Sequence, residues 1–438
     1  MPSWSTKLRN KLKVDSANTR AGSSMPKSPI SDPRTLRSQF PTPASTEVKI
    51  RLAMLSTAMV DALGGPPEFH KRFSFDLVTT MLPNENFPTK LQPQAGIWTD
   101  DTSMTLCLAM SLATFKESPN SPFCGGFDEV DQLNYYKRWY EKGDLSSVGS
   151  CFDIGNTVKL ALSIYSRYRT EEALLRIRSD LAAEQYCGNG SLMRVLPIGL
   201  AYWRDEEQAK IYARRSSQTT HPSTMCIEAC EVWTGAICCI MEASVNPTPS
   251  PDYDGDDAKF SKLNVVEFIS NFPFTDNKLR ESLTLPFGVP PRPEGRAERE
   301  AWYFKYHPLL RLITDTQSIP DPNRDPRLSF NIPSVEALPS SGYVRHTIVA
   351  ALYCFLATRT FEDGAILAVN LGDDADTVGA VYAGLAACFY AGEEGGRAEG
   401  VFWTKRVREW LQTLVRVDLI ERVSELLVGW EKKVEEEF

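Results

Sequence analysis

Histidine is scarce in this chain: His70, His221, His307 and His346 are the four in 438 residues. No two of the ten cysteines are spaced as Cys-x-x-Cys. A zinc site draws on clustered imidazole and thiolate ligands, so any metal here would have to rest on oxygen donors. The cysteines form no regular framework and include the adjacent pair Cys238-Cys239, a pattern of reduced core thiols rather than disulfides. A reducing compartment, the cytoplasm, is therefore expected. Around the small-residue run near the C-terminal end, the longest stretch without a charge, Thr377 to Gly392, has sixteen residues. That is short of the ~20 needed to cross a bilayer, and no membrane span is expected. No Gly-rich loop ends in Gly-Lys-Ser/Thr, which excludes the phosphate loop of NTPases. Regular alternation of strand and helix patterns is missing too, and with it the signature of a parallel sheet.

Charge is unevenly spread. Residues 1–46 carry eight Lys/Arg against Asp15 and Asp32, a net of +6, which leaves −14 for the rest of a chain of formal charge −8. This Ser-, Pro- and Thr-rich segment has too little apolar surface to order itself and reads as a disordered basic arm. Trp4, Leu8 and Leu12, set among Lys7, Arg9, Lys11 and Lys13, are the alternative: an amphipathic organelle-targeting helix. The acidic body has no basic stripe, so nucleic acid is not expected as a partner.

From residue 47 to 438 the apolar spacing is helical. EVKIRLAMLSTAMVDALGG, TSMTLCLAMSLATF, TEEALLRIRSDLAAEQ, PSTMCIEACEVWTGAICCIMEAS and GYVRHTIVAALYCFLATR each predict a helix. Residues 402–437, FWTKRVREWLQTLVRVDLIERVSELLVGWEKKVEEE, predict one long one. The expected fold is a single all-α domain, an orthogonal multi-helix bundle, with Pro-rich loop insertions near 246–262 and 285–340.

Two acidic clusters stand directly before apolar helical runs. Thr99-Asp100-Asp101 opens one, and Asp373-Asp374-Ala375-Asp376-Thr377 opens the other. A helix N-terminus favours negative charge, but capping accounts for one carboxylate per cluster, not two or three. If the clusters converge, their mutual repulsion needs cations, and hard divalent ions such as Mg²⁺ or Mn²⁺ suit carboxylate and hydroxyl oxygens. An EF-hand does not fit, because Leu385 stands where its closing Glu should be. Two further stretches place polar residues and glycines ahead of a helical run. In FDIGNT the acid is Asp153, and in CGNGSLMR Gly188 and Gly190 flank Asn189. Such glycines let backbone N–H groups approach a phosphate.

Taken in order, VDALGGPPEF, WTDDTSM, FDIGNT, GNGSLMR, TTHPS, SGYVRHT and NLGDDADTVGA resemble the motifs of the ADP-ribosylglycohydrolase family over residues 48 to 415. The resemblance implies an all-α fold with a binuclear Mg²⁺ or Mn²⁺ centre. It assigns Thr99, Asp100, Asp101, Asp374, Asp376 and Thr377 as metal ligands. Glu68 matches an acid beside the metals, Asp153 one that moves protons or positions substrate, and Asp101 joins them as a catalytic candidate. Asn189, Gly190 and Ser191 fall in the loop that holds the distal ribose and phosphates, His221 near the diphosphate, and Tyr343 beside adenine.

The implied activity is hydrolysis of the N- or O-glycosidic bond of ADP-ribose on a protein arginine or serine, or on a small ADP-ribose derivative, by a monomer. A non-catalytic ADP-ribose or nucleotide binder of the same fold is the alternative. Three departures stand out: Val60 where the family has Gly, Asp373 where it has a second Gly, and Ser191-Leu192 in place of two small residues.

Overall fold

Every residue of the helix Ala375–Tyr390 is buried. A helix with no polar face lies inside a protein rather than on it, and here the others pack around it. The helix Thr46–Gly64 makes the most extensive contact, and Phe361–Val369, Val344–Ala357 and Thr224–Val245 complete the surround. The structure, a computed structural model, describes residues 35–84, 94–118, 124–247, 259–319 and 324–437. Among these there are seventeen α-helices and no strand beyond isolated bridges, so the expected all-α class is found.

Small residues set how close the two central helices come. A Cβ on Gly64 would lie 2.5 Å from Asp376 Cα, and one on Gly379 would lie 2.8 Å from Val60 Cγ1. Val60, the residue that departs from the family pattern, thus fits because Gly379 faces it. The C-terminal end of Ala375–Tyr390 is closed by a buried lysine from the opposite helix. Lys49 Nζ donates to the carbonyls of Cys388 and Ala391, both at 2.7 Å, and burial pulls its pKa down to about 7. Lys262 serves Val344–Ala357 alike, donating to the carbonyls of Phe355 and Thr358. Cations at helix C-termini complement the macrodipole.

Thr224–Val245 is long and apolar enough to cross a membrane, yet 89% of its apolar window is buried inside the fold. It is a core helix. All ten cysteines are free thiols.

Three sequence expectations are corrected. The packed body begins before residue 47: Leu36 and Thr42 are buried, the Leu36 amide donates to Glu300, and Thr42 N donates to Phe389 O at 2.7 Å. The arm expected over residues 1–46 is thus shortened, and residues 1–34 lie outside those described. The span 285–340 is not one loop, since it contains the helices Arg296–Tyr306 and Pro308–Gln317. The C-terminal run is two helices, Lys405–Thr413 and Val417–Glu437. Between them Arg416 takes a left-handed φ of 48°. Val415 N donates to Gly96 O at 3.0 Å, and Arg416 Nη1 donates to Ser146 O at 2.6 Å. Trp98 Nε1 donates back to Val415 O at 3.2 Å. The break therefore braces the segment that leads into Thr99.

Candidate active site

The first acidic cluster occupies the N-terminus of the helix Asp100–Thr114. Neither Asp100 nor Asp101 caps that helix. The role falls to Asp61, one turn from the end of Thr46–Gly64, whose carboxylate accepts from Thr99 N at 2.9 Å, Thr102 N at 3.0 Å and Thr102 Oγ1. Burial pushes the pKa of Asp61 up to about 7 against the pull of these donors. With the cap supplied from elsewhere, both cluster carboxylates are released for other work. Sequence reasoning misses Asp61 as a site residue, because a sequence does not show which N–H groups a buried acid meets.

The second cluster opens Ala375–Tyr390 after a turn in which Gly372 and Asp373 both adopt left-handed φ, 69° and 54°. A Cβ on Gly372 would fall 2.7 Å from His70 O, so only glycine fits there. Asp373 tolerates its conformation because its backbone is paired on both sides: its N–H donates to His70 O at 2.8 Å, and its carbonyl accepts from Phe69 N at 2.7 Å. Arg72 fastens the turn from beneath, with Nε on Leu371 O at 2.7 Å, Nη1 on Pro333 O and Nη2 on Leu338 O, each at 2.7 Å.

The two clusters meet. Thr377 Oγ1 donates to Asp101 Oδ2 at 3.1 Å, and Thr99 Oγ1 donates to the same oxygen at 3.2 Å. Asp101 Oδ1 is buried with no hydrogen-bond partner among the described residues. Asp376 Oδ1 accepts from Thr377 N at 2.9 Å. Above this floor, carboxylate oxygens of Glu68, Asp153 and Asp376 all lie within 4.8 Å of one another.

Crowding shifts every acid in one direction. Burial first, then the neighbouring carboxylates, hold Glu68, Asp100, Asp101 and Asp376 well above the usual carboxylate range. Asp374 rises less, to about 6, because Asn189 and Thr377 donate to it. Among the described residues, no lysine or arginine lines the cleft to offset the charge. A buried carboxylate oxygen without a donor, among hydroxyls and further carboxylates, is the donor set of a hard divalent cation. The residues present fit one: Thr99, Asp100, Asp101, Asp374, Asp376 and Thr377 would supply its oxygens.

The cleft over the cluster encloses about 420 Å³. One wall is the turn Gly188-Asn189-Gly190. Asn189 Nδ2 donates to Asp374 and to Thr347 Oγ1 at 2.9 Å, while its backbone N–H donates to Gly342 O at 3.0 Å. A Cβ on Gly190 would lie 2.8 Å from His221 Cε1. The buried His221 ring pairs through Nδ1 with Thr220 Oγ1 at 2.8 Å. Burial and the nearby Arg194 depress its pKa to about 3, so it is neutral at ordinary pH. Arg194 holds the turn by donating from Nη1 to Gly190 O at 2.6 Å.

The opposite wall is the N-terminus of the helix Asn156–Arg167, where Gly155, Asn156 and Thr157 face the cleft and no side chain caps the end. The sequence marks this stretch through FDIGNT, of which Asp153 alone is assigned there as a site residue. The available signal is a Gly N-cap ahead of a helical run. Asp153 sits just before them with φ 58°. Non-glycine residues at such φ concentrate at functional sites.

Two expected substrate residues sit elsewhere. Ser191 does not line the cleft. Its hydroxyl accepts from Ser217 Oγ at 2.9 Å and faces Cys230, because one residue past Gly190 the chain has turned into the core. Its side chain supports the turn rather than the ligand. Tyr343 lies outside the cleft proper, beside Gly188 through an isolated bridge, with its ring edge-on to His346 at 5.1 Å.

Helical architecture and an acid-rich cleft suited to a hard cation are the features that the sequence motifs imply for a glycohydrolase. Residues 42–433 match the family model of the ADP-ribosylglycohydrolases. The chain belongs to the ADP-ribosylglycohydrolase family, hydrolases of the glycosidic bonds of ADP-ribose. It is 27% identical over 417 residues to the ADP-ribosylarginine hydrolase Tri1 of Pseudomonas putida (strain GB-1), covering 94% of this chain and 90% of that protein. The Tri1 of Serratia proteamaculans (strain 568) is 26% identical over 381 residues, covering 86% and 78%. The human ADP-ribosylhydrolase ARH3 is 24% identical over 324 residues, covering 72% and 76%. A solved chain of an ADP-ribosylglycohydrolase-related protein complex aligns with a TM-score of 0.51 at 27% identity, over 88% of this chain and 99% of that one.

Proposed function

We propose that this protein removes ADP-ribose from an ADP-ribosylated arginine side chain, with a divalent centre of two Mg²⁺ or Mn²⁺ ions as its cofactor. The arginine class is favoured by the two relatives named ADP-ribosylarginine hydrolase, which match 86% or more of the chain. A serine acceptor, or a small ADP-ribose derivative, is the neighbouring possibility. The observation that carries the catalytic reading is the Glu68–Asp153–Asp376 cluster, three acids within 4.8 Å at the cleft floor.

The uncapped N-terminus of the Asn156–Arg167 helix and the Gly188–Gly190 turn suit a diphosphate, since a helix N-terminus attracts anions. That placement directs the proximal ribose toward the acids. Hydrolysis breaks the bond from the anomeric carbon to the acceptor, adds hydroxide to the carbon and returns a proton to the leaving atom. Glu68, buried and hydrogen-bonded to Asp153 beside the other acids, is suited to give that proton. Asp153, the less buried of the pair, is suited to take one from the attacking water. The divalent centre would supply Lewis acidity and neutralise the aspartates. We further propose that the protein acts as a monomer in the cytoplasm.

The test is release of free ADP-ribose from peptides ADP-ribosylated on arginine or serine, with Mg²⁺, Mn²⁺ or chelator. Metal-dependent release from the arginine peptide supports the reading. Binding of ADP-ribose without release from any peptide would make the protein a binder instead.

A further inference from the structure

The residue after Glu68 is a large aromatic, and it is 69% exposed. Phe69 lines the cleft beside Glu68 and Asp153. Its backbone takes φ 62°, a conformation that disfavours a side chain with Cβ by about 1–2 kcal/mol. The conformation is fixed by the antiparallel pairing of Phe69 N with Asp373 O at 2.7 Å and of Asp373 N with His70 O at 2.8 Å. The turn thus holds an apolar ring against water at the mouth of an acidic cleft. Burial does not account for the ring, and the backbone would be better served by glycine or asparagine at that φ.

The position within the cleft narrows what the ring can meet. The phosphate-binding elements, Gly155 to Thr157 and Gly188 to Gly190, form the other walls. Phe69 stands beside Glu68 and Asp153 in that lining, the acids to which the proposed function gives the proton transfers at the leaving group. No Lys or Arg is among the described lining residues to occupy the ring. The face of an aromatic ring attracts a planar cation through its quadrupole. A guanidinium meets that description, whereas a serine hydroxyl does not.

We propose that Phe69 is a specificity-determining residue, a platform on which the guanidinium of the bound ADP-ribosylated arginine stacks. This rests on the hydrolase reading above. It explains why the turn carries a phenylalanine at a strained position, and it places the choice of acceptor on one residue outside the metal ligands.

The experiment compares wild type with Phe69→Leu and Phe69→Tyr. Both replacements keep a Cβ at the same φ, and the exposed position keeps the fold out of the comparison. Leucine retains apolar bulk without a π face, and tyrosine retains the face. The readouts are KM and kcat on ADP-ribosylarginine and ADP-ribosylserine peptides, with calorimetric binding of free ADP-ribose. The expected result is an approximately tenfold higher KM for the arginine peptide in Phe69→Leu, of the size of one cation–π contact. Phe69→Tyr should stay near wild type, and the serine peptide and free ADP-ribose should be unchanged. An equal loss on both peptides, or no loss on either, overturns the platform. If wild type releases ADP-ribose from neither peptide, the hydrolase reading fails by itself. The platform is then decided by binding: Phe69→Leu must abolish any preference for the arginine peptide over free ADP-ribose, and an unchanged preference overturns it.

Discussion

Thr377 and Asp101 stand 276 positions apart, and the hydroxyl of one donates to the carboxylate of the other at 3.1 Å. Through this contact the two acidic motifs become one site. Thr377→Val keeps the shape and removes the donor. A calorimetric Mn²⁺ titration should show affinity reduced by about 10- to 100-fold, with the melting temperature of the metal-free protein changed little.

The aspartates repel one another in the absence of cations, so relieving the repulsion should stabilise the empty protein. In chelator, Asp376→Asn should unfold at higher denaturant than wild type, by on the order of 1–3 kcal/mol. Added Mg²⁺ should stabilise wild type and leave the variant unmoved. A variant less stable than wild type in chelator would count against this electrostatic account.

Asp61 acts through the backbone it caps. Asp61→Ala leaves Thr99 N, Thr102 N and Thr102 Oγ1 without their acceptor in a buried place. The expected loss is on the order of 2–4 kcal/mol in equilibrium unfolding, together with weaker metal binding. Asp61→Asn keeps an acceptor oxygen and should lose less of both.

Glu68→Gln retains the size of the side chain and removes the transferable proton. Its kcat should fall by about 10²- to 10⁴-fold, the usual worth of a general acid. Binding of ADP-ribose should persist, which separates a chemical role from a structural one.

His307 should make stability depend on pH. Its ring is buried, with Nε2 3.0 Å from Leu283 O, and burial lowers its pKa from 6.5 to about 4. Between those values the unfolded chain binds a proton that the folded chain refuses, so stability falls as pH drops through that window. The total is on the order of 3 kcal/mol. Stability of His307→Gln should fall less steeply between pH 6.5 and 4 than that of wild type, as read from denaturant midpoints across that range.

Much of the site was legible because its chemistry needs particular residue types in short motifs. Thr99-Asp100-Asp101 and Asp374-Ala375-Asp376-Thr377 each carry more charge than a helix cap uses, and the excess pointed to a shared cation. The helical class was legible from periodicity. What escaped depends on three-dimensional partners. Arg72 belongs to none of the sequence motifs, yet its guanidinium is buried against the carbonyls of Leu371, Pro333 and Leu338. Leu414 to Arg416 contain neither glycine nor proline, so the bend there has no local mark. It forms because Gly96 and Ser146 offer carbonyls to it. Ser191 looks like part of the ligand turn, and only the path of the chain past Gly190 reveals that its hydroxyl faces inward.

The pairing of Thr99–Asp101 with Asp374–Thr377 also sets an order in time. In a chain made from its N-terminus, Asp101 emerges 276 residues before the Thr377 that bonds to it. Domains tend to fold as units as they emerge. Here the helix that fills the centre of the core, Ala375–Tyr390, also carries Asp376 and Thr377 of the second acidic cluster. A chain that stops short of this helix therefore lacks the second acidic cluster and the centre of its core together.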